Sequence, residues 1–139
     1  MGTNIRPEIS KRSQYWISRH RHYELKYFCL QYPSWKKHYA SLNDISIRTS
    51  SLERTPSNGL PSDPTANLAL SRDDYASKIR MVEKAAWKAD PQLCSYILRA
   101  VTEGLSYTQL KSRLNIPCSR DTYYDRYRRF FWLLSNSRN

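Results

Sequence analysis

"GLSYTQLKSRLNIPCSRDTYYDRYRRFFWLL", residues 104–134, holds two helix-start signals, one proline-containing corner and five arginines. Ser106 with Gln109 forms a capping box: the serine hydroxyl accepts from the backbone ahead while the glutamine side chain reaches back to the serine N–H. The helix it starts runs to about Leu114, with Tyr107, Leu110 and Leu114 facing inward. Asn115 tolerates left-handed backbone and Pro117 forbids a straight continuation, so Asn115–Cys118 reads as a tight corner. Ser119 then caps a second helix, with Asp121 in the first turn where the helix dipole favours a carboxylate. Tyr123, Tyr127, Phe130, Phe131 and Leu134 form the inner stripe of that helix.

Working back toward the N-terminus, Asp90-Pro91 opens a helix that buries Leu93, Tyr96, Ile97, Ala100 and Val101 and ends at Gly104. Asp63-Pro64 opens the longest helix, with Leu68, Tyr75, Ile79, Val82 and Ala86 as its stripe, through about Lys88. Residues 43–62 are rich in Ser, Thr, Asn, Pro and Gly without periodicity and read as a flexible linker. Before it stands a short helix from Ser34 to about Leu42, set off from the preceding one at Tyr32-Pro33. The first helix, Ser13–Gln31, carries Trp16, His20 or Tyr23, Tyr27 and Leu30 at near-helical spacing. No strand pattern appears, and the fold class is all-α. The division is 1–42, a basic aromatic helical segment; 43–62, the linker; and 63–139, a helical domain with a helix-turn-helix at 106–134, whose expected partner follows from the charge and the open face of its last helix.

Among 139 residues, 23 Lys and Arg face 12 Asp and Glu, giving +11, which favours a polyanionic partner. The charge is +6 in residues 1–40, zero in 41–98 and +5 in 99–139, so both ends are basic. Cys29, Cys94 and Cys118 are odd in number and far apart, matching neither a zinc ladder nor a disulfide framework. The start lacks the apolar core of a signal peptide, and no run approaches the ~20 residues of a membrane helix. A cytoplasmic protein without a membrane partner is the expectation.

A two-turn helix, a corner and a longer helix with a polar first turn suit the major groove of double-stranded DNA, which at ~12 Å admits one α-helix. With the inner stripe buried, Ser119, Arg120, Asp121, Thr122, Tyr124, Asp125 and Arg128 lie on the open side. Arg120 suits a guanine edge, Thr122 a thymine methyl or a phosphate, and Asp121 or Asp125 a cytosine amine or a neighbouring arginine. Arg126, Arg128 and Arg129 are candidates for phosphate contacts, joined by Tyr107, Thr108 and Lys111 from the first helix. "RHRHYELKYF", residues 19–28, interleaves cations with aromatics and fits either a nucleic-acid arm or a packing and dimerisation helix, the latter favoured by its stripe. His20 and His22 point to different sides of a helix and make no metal pair. No phosphate loop, nucleophile motif or ligand cluster calls for catalysis, a metal or a cofactor.

"YFCLQYPSWKK" (27–37), "LPSDPTANLAL" (60–70) and "ILRAVTEGLSYTQLKSRLNIPCSRDTYYDRYRRFFWLL" (97–134) together resemble the RinA/ArpU-like phage transcriptional regulators. The tail is also similar to the DNA-binding C-terminal domain of bacterial sigma factors. The resemblance implies a DNA-binding activator of late phage or prophage genes in the cytoplasm of a bacterial host. It places the supporting helix at Ser106–Leu114 and the recognition helix at Ser119–Leu134. Two departures are Asn115, where many such corners carry Gly, and Pro117-Cys118, where many carry a Ser or Thr pair. A homodimer paired through the N-terminal helices, reading two related half-sites, is the leading expectation. A small terminase subunit, or a protein-binding modulator of host RNA polymerase, are the alternatives.

Overall fold

The fold is that of a computed structural model, which describes the backbone of residues 14–51 and 64–138 and the side chains of residues 14–44 and 71–138. Among these, six α-helices and no strands occur: α1 (Arg19–Leu30), α2 (Tyr32–Ser51), α3 (Pro64–Ala89), α4 (Cys94–Glu103), α5 (Tyr107–Leu114) and α6 (Arg120–Ser137). The protein is all-α. No helix among the described residues is long and apolar enough to cross a membrane.

Two units divide the chain, one drawing on residues up to Gln31 and from Met81 onward, the other on Tyr32–Arg80. This differs from the division at 42/43 and 62/63, because α1 belongs with the C-terminal helices. The predicted linker also changes: α2 continues through Ser51, so the polar composition of residues 43–51 does not prevent helix there, while residues 52–63 lie outside the described residues. The stripe residue Leu68 and the start of the first helix at Ser13 likewise fall outside the described side chains or backbone.

In the first unit α1 packs on α4 and α6, and α4 on α5 and α6. Ser18 starts α1, its hydroxyl accepting from the Arg21 N–H at 3.1 Å. The buried face of α1 is His22, Leu25, Phe28 and Cys29. That is a different register from the sequence stripe: Tyr27 is 63 % exposed, Trp16 43 % and Leu30 37 %. The aromatics permit either stripe, and the choice is made by α6. The ring of His22 lies 4.9 Å from that of Phe131, edge on, and its Nε2 is 3.2 Å from the Tyr127 hydroxyl. Arg21 donates from Nε to the Ser135 hydroxyl at 3.0 Å and from Nη2 to the carbonyls of Ser135 (2.9 Å) and Arg138 (3.1 Å). A cation thus sits at the carbonyl end of α6, where the helix dipole favours it.

The C-terminal end of α3 buries Val82, Ala85, Ala86 and Ala89, a helical i, i+3, i+4, i+7 face. Asp90 then accepts from the N–H groups of Gln92 (2.9 Å) and Leu93 (3.2 Å), which sets α4 to begin at Cys94 rather than at Pro91. Gly104 closes α4 in the left-handed region, φ 75°, with its N–H on the Ala100 carbonyl at 2.9 Å.

The second unit pairs α2 with the N-terminal part of α3. The His38 and Tyr75 rings stack at 5.4 Å, Lys78 lies over the Trp35 ring at 6.0 Å, and Arg72 donates to the Asn43 side chain at 3.4 Å. Contacts that descend along one helix as they ascend along the other make the pair antiparallel.

Candidate nucleic-acid interface

The capping box that opens α5 is complete: Ser106 Oγ accepts from the Gln109 N–H at 3.2 Å, and Gln109 Oε1 accepts from the Ser106 N–H at 2.9 Å. Leu110 is fully buried, while Tyr107 and Leu114 are half-buried. At the far end Asn115 takes the left-handed conformation, φ 53°, which lets its N–H reach the Lys111 carbonyl and the Ile116 N–H reach that of Leu110. Ile116, fully buried, anchors the corner in the core. Left-handed backbone costs an ordinary L-residue ~1–2 kcal/mol, which Asn moderates and Gly escapes. Asn115→Val is therefore expected to lower stability by ~1–2 kcal/mol in urea denaturation, and Asn115→Gly to leave it within ~0.5 kcal/mol. Equal midpoints for the two variants would contradict the corner geometry.

Polar side chains bind the corner across both helices. The Tyr107 hydroxyl donates to the Cys118 carbonyl at 2.6 Å, and Lys111 Nζ approaches the Ile116 carbonyl at 3.4 Å. Arg120 donates to the Thr108 hydroxyl at 3.2 Å and its guanidinium lies 5.2 Å from the Tyr107 ring centroid. Ser119 Oγ accepts from the Thr122 N–H at 3.2 Å and donates to the Thr122 hydroxyl at 3.0 Å. Tyr107, Thr108, Lys111, Ser119, Arg120 and Thr122 are thereby brought together. Thr108, Lys111, Ser119, Arg120, Asp121 and Thr122 are all exposed.

Farther along α6 the picture changes. Tyr123, Phe130, Phe131 and Leu134 are buried as the stripe predicts, with Tyr127 half-buried. Arg126 donates from Nε to Asp90 at 3.0 Å and pairs with Asp125; its pKa is raised, chiefly by the Asp90 hydrogen bond. Arg129 donates to the Lys88 carbonyl and to the Tyr15 hydroxyl, each at 3.3 Å. The Arg128 side chain is 18 % exposed and lies 4.0 Å from Asp125. All three arginines assigned to phosphates from the sequence thus have partners within the chain, as do Asp125 and, through ring contacts with Tyr123 and Tyr127, Tyr124. In the N-terminal segment Arg21 and His22 are turned toward α6, the packing role.

Arg113 was missed by the sequence reading. It is exposed, in the last turn of α5, and its charge reaches Glu103, whose pKa is lowered first by the Arg99 hydrogen bond and then, more weakly, by Arg113. The signal was present: with Leu110 and Leu114 inward, residue 113 falls on the outer side of the same helix. Lys111, Arg113 and Arg120 are the exposed cations of these two helices and form no ion pair among the described residues, Lys111 resting on the Ile116 carbonyl and Arg120 on Thr108 and Tyr107, with Asp121 exposed in the first turn of α6.

Asp90 ties the backbone ahead of α4 to α6 through Arg126. Its replacement by Ala is expected to cost ~1–2 kcal/mol, by loss of an N–H acceptor and an arginine partner, with a matching fall in the urea midpoint. An unchanged midpoint would show that the Asp90–Arg126 tie contributes nothing. Cys29, Cys94 and Cys118 all have pKa values raised by burial, so the thiols stay protonated near neutrality. No group of three or more His, Cys, Asp or Glu among the described residues is placed to hold a metal ion. No protein-family model, curated protein or solved structure matches the chain.

Proposed function

We propose that the chain is a sequence-specific double-stranded DNA-binding regulator of phage or prophage transcription, a helix-turn-helix protein that lays the first turns of α6 in the major groove. The observation that carries this reading is the corner. Two capped helices meet at a left-handed Asn115, Ile116 and Leu110 are sunk in the core, and the exposed rim holds Thr108, Lys111, Arg113, Ser119, Arg120, Asp121 and Thr122. A helix N-terminus with hydroxyls and a guanidinium at its mouth is suited to phosphate and base edges alike. The +5 charge of residues 99–139 supports the same partner, as does the resemblance of residues 97–134 to phage regulators. We assign the chain no catalytic role and no cofactor, and read it as a homodimer in the bacterial cytoplasm, with RNA polymerase as the further partner of an activator.

Binding to duplex DNA as a function of salt tests the reading directly. Fluorescence anisotropy between roughly 50 and 200 mM salt is expected to give a log–log slope of about −0.9 for each phosphate contacted. A flat response would reject DNA binding. Mass in solution separates the packaging alternative, since a ring of many copies, rather than a dimer, is what a small terminase subunit forms.

A further inference from the structure

A cleft of about 180 Å³ opens between α1, α4 and α6, wholly within the first unit. Its floor is made small by Ala100, Val101 and Gly104. A side chain at residue 104 would fill part of it, since a Cβ there would stand 3.8 Å from Leu30 Cδ2 on the opposite wall. Aromatic rings form the other side: Tyr124 and Tyr127 meet in a T at 5.8 Å, and Tyr127 tilts against Phe131 at 4.8 Å. Lys26 lines the same cleft, is half-buried, and has no ion-pair or hydrogen-bond partner among the described residues.

We propose that this cleft binds a small aromatic carboxylate, its ring against the tyrosine and phenylalanine wall and its carboxylate at Lys26. Size, apolar floor and charge each restrict the ligand. An apolar cavity of about 150 Å³ holds benzene, so the space here admits one ring with a short acidic arm and little more. Edge and face contacts with Tyr127 and Phe131 favour an aromatic body over an aliphatic one. Lys26 stands at the cleft without an ion-pair partner among the described residues, and a carboxylate bound there would supply both countercharge and acceptor. A free inorganic anion would leave the floor uncovered, and a neutral aromatic would leave Lys26 unmatched. The site is independent of the DNA reading, because it needs only the first unit to fold.

The test is a ¹H–¹⁵N NMR titration of the full chain with phenylacetate, against phenylacetamide as the neutral ligand of the same shape. Saturable shifts are expected at the Ala100, Val101 and Gly104 amides, with the amide binding about tenfold more weakly or worse, a loss the charge alone explains. K26Q is expected to weaken phenylacetate by about tenfold as well, while K26R stays within a few-fold of the parent chain. Equal binding of acid and amide by the unaltered chain overturns the proposal, as does an undiminished K26Q, or the absence of saturable shifts at those amides up to roughly 10 mM ligand, the millimolar limit of weak binding.

Discussion

Phe131→Ala is expected to lower stability by ~3–5 kcal/mol, the cost of losing a buried aromatic and leaving a cavity. At ~4–8 °C of melting temperature per kcal/mol for a unit of this size, the variant should melt at least ~10 °C earlier. Phe131 is 1 % exposed and meets three rings, those of His22 at 4.9 Å, Tyr127 at 4.8 Å and Phe130 at 4.9 Å. It therefore joins α1 to α6, and the cavity cannot close by moving one side chain. Tyr27→Ala is the control: at 63 % exposure on the outer side of α1, its loss should stay within ~0.5 kcal/mol. The pair separates the two registers of α1. If Tyr27→Ala melts as early as Phe131→Ala, the stripe through Trp16, Tyr27 and Leu30 faces the core after all.

How far the sequence reaches is seen in these same residues. The ends of α4 and α5 and the start of α6 could be read from Gly104, Ser106, Gln109, Asn115 and Ser119, because capping is a local affair between a side chain and the next turn of backbone. The stripe of α6 was legible too, as five large apolar groups at 3.6-residue spacing leave only one choice of face. In α1 they leave two, since a histidine and a tyrosine can each point in or out, and the choice rests with Tyr127 and Phe131, more than 100 residues away in sequence. The roles of Arg126 and Arg129 were hidden for the same reason. Neither Asp90 nor the Lys88 carbonyl is a helix neighbour of α6, so only tertiary packing shows that these cations are already engaged. Helix continuing through residues 43–51 was hidden differently: Ser, Thr and Asn there are weak helix formers, and propensity is only a weak guide to whether a helix continues.

That division among the arginines leads to the prediction with the largest effect on binding. Replacing Lys111, Arg113 and Arg120 together by Gln is expected to reduce the log–log salt slope of DNA binding by about 2.7, at −0.9 per lost contact. At ~0.15 M salt the same slope change corresponds to an affinity loss of about two orders of magnitude. All three are exposed, so the fold should survive with little loss of stability. Arg126→Gln and Arg129→Gln should behave in the opposite way, leaving the slope unchanged while lowering the urea midpoint, because their donors reach Asp90, the Lys88 carbonyl and Tyr15. Arg120→Ala alone isolates base reading. A bidentate base contact predicts ~1–3 kcal/mol lost on the preferred site and less on random duplex, while a phosphate contact predicts equal loss on both. In the free protein that guanidinium rests on Tyr107 and Thr108, so binding a base requires it to leave one partner for another of similar geometry. If the triple variant keeps its slope and Arg126→Gln loses it, the DNA-facing side of α6 is the side turned toward Asp90, and the placement of the first turn in the groove is wrong.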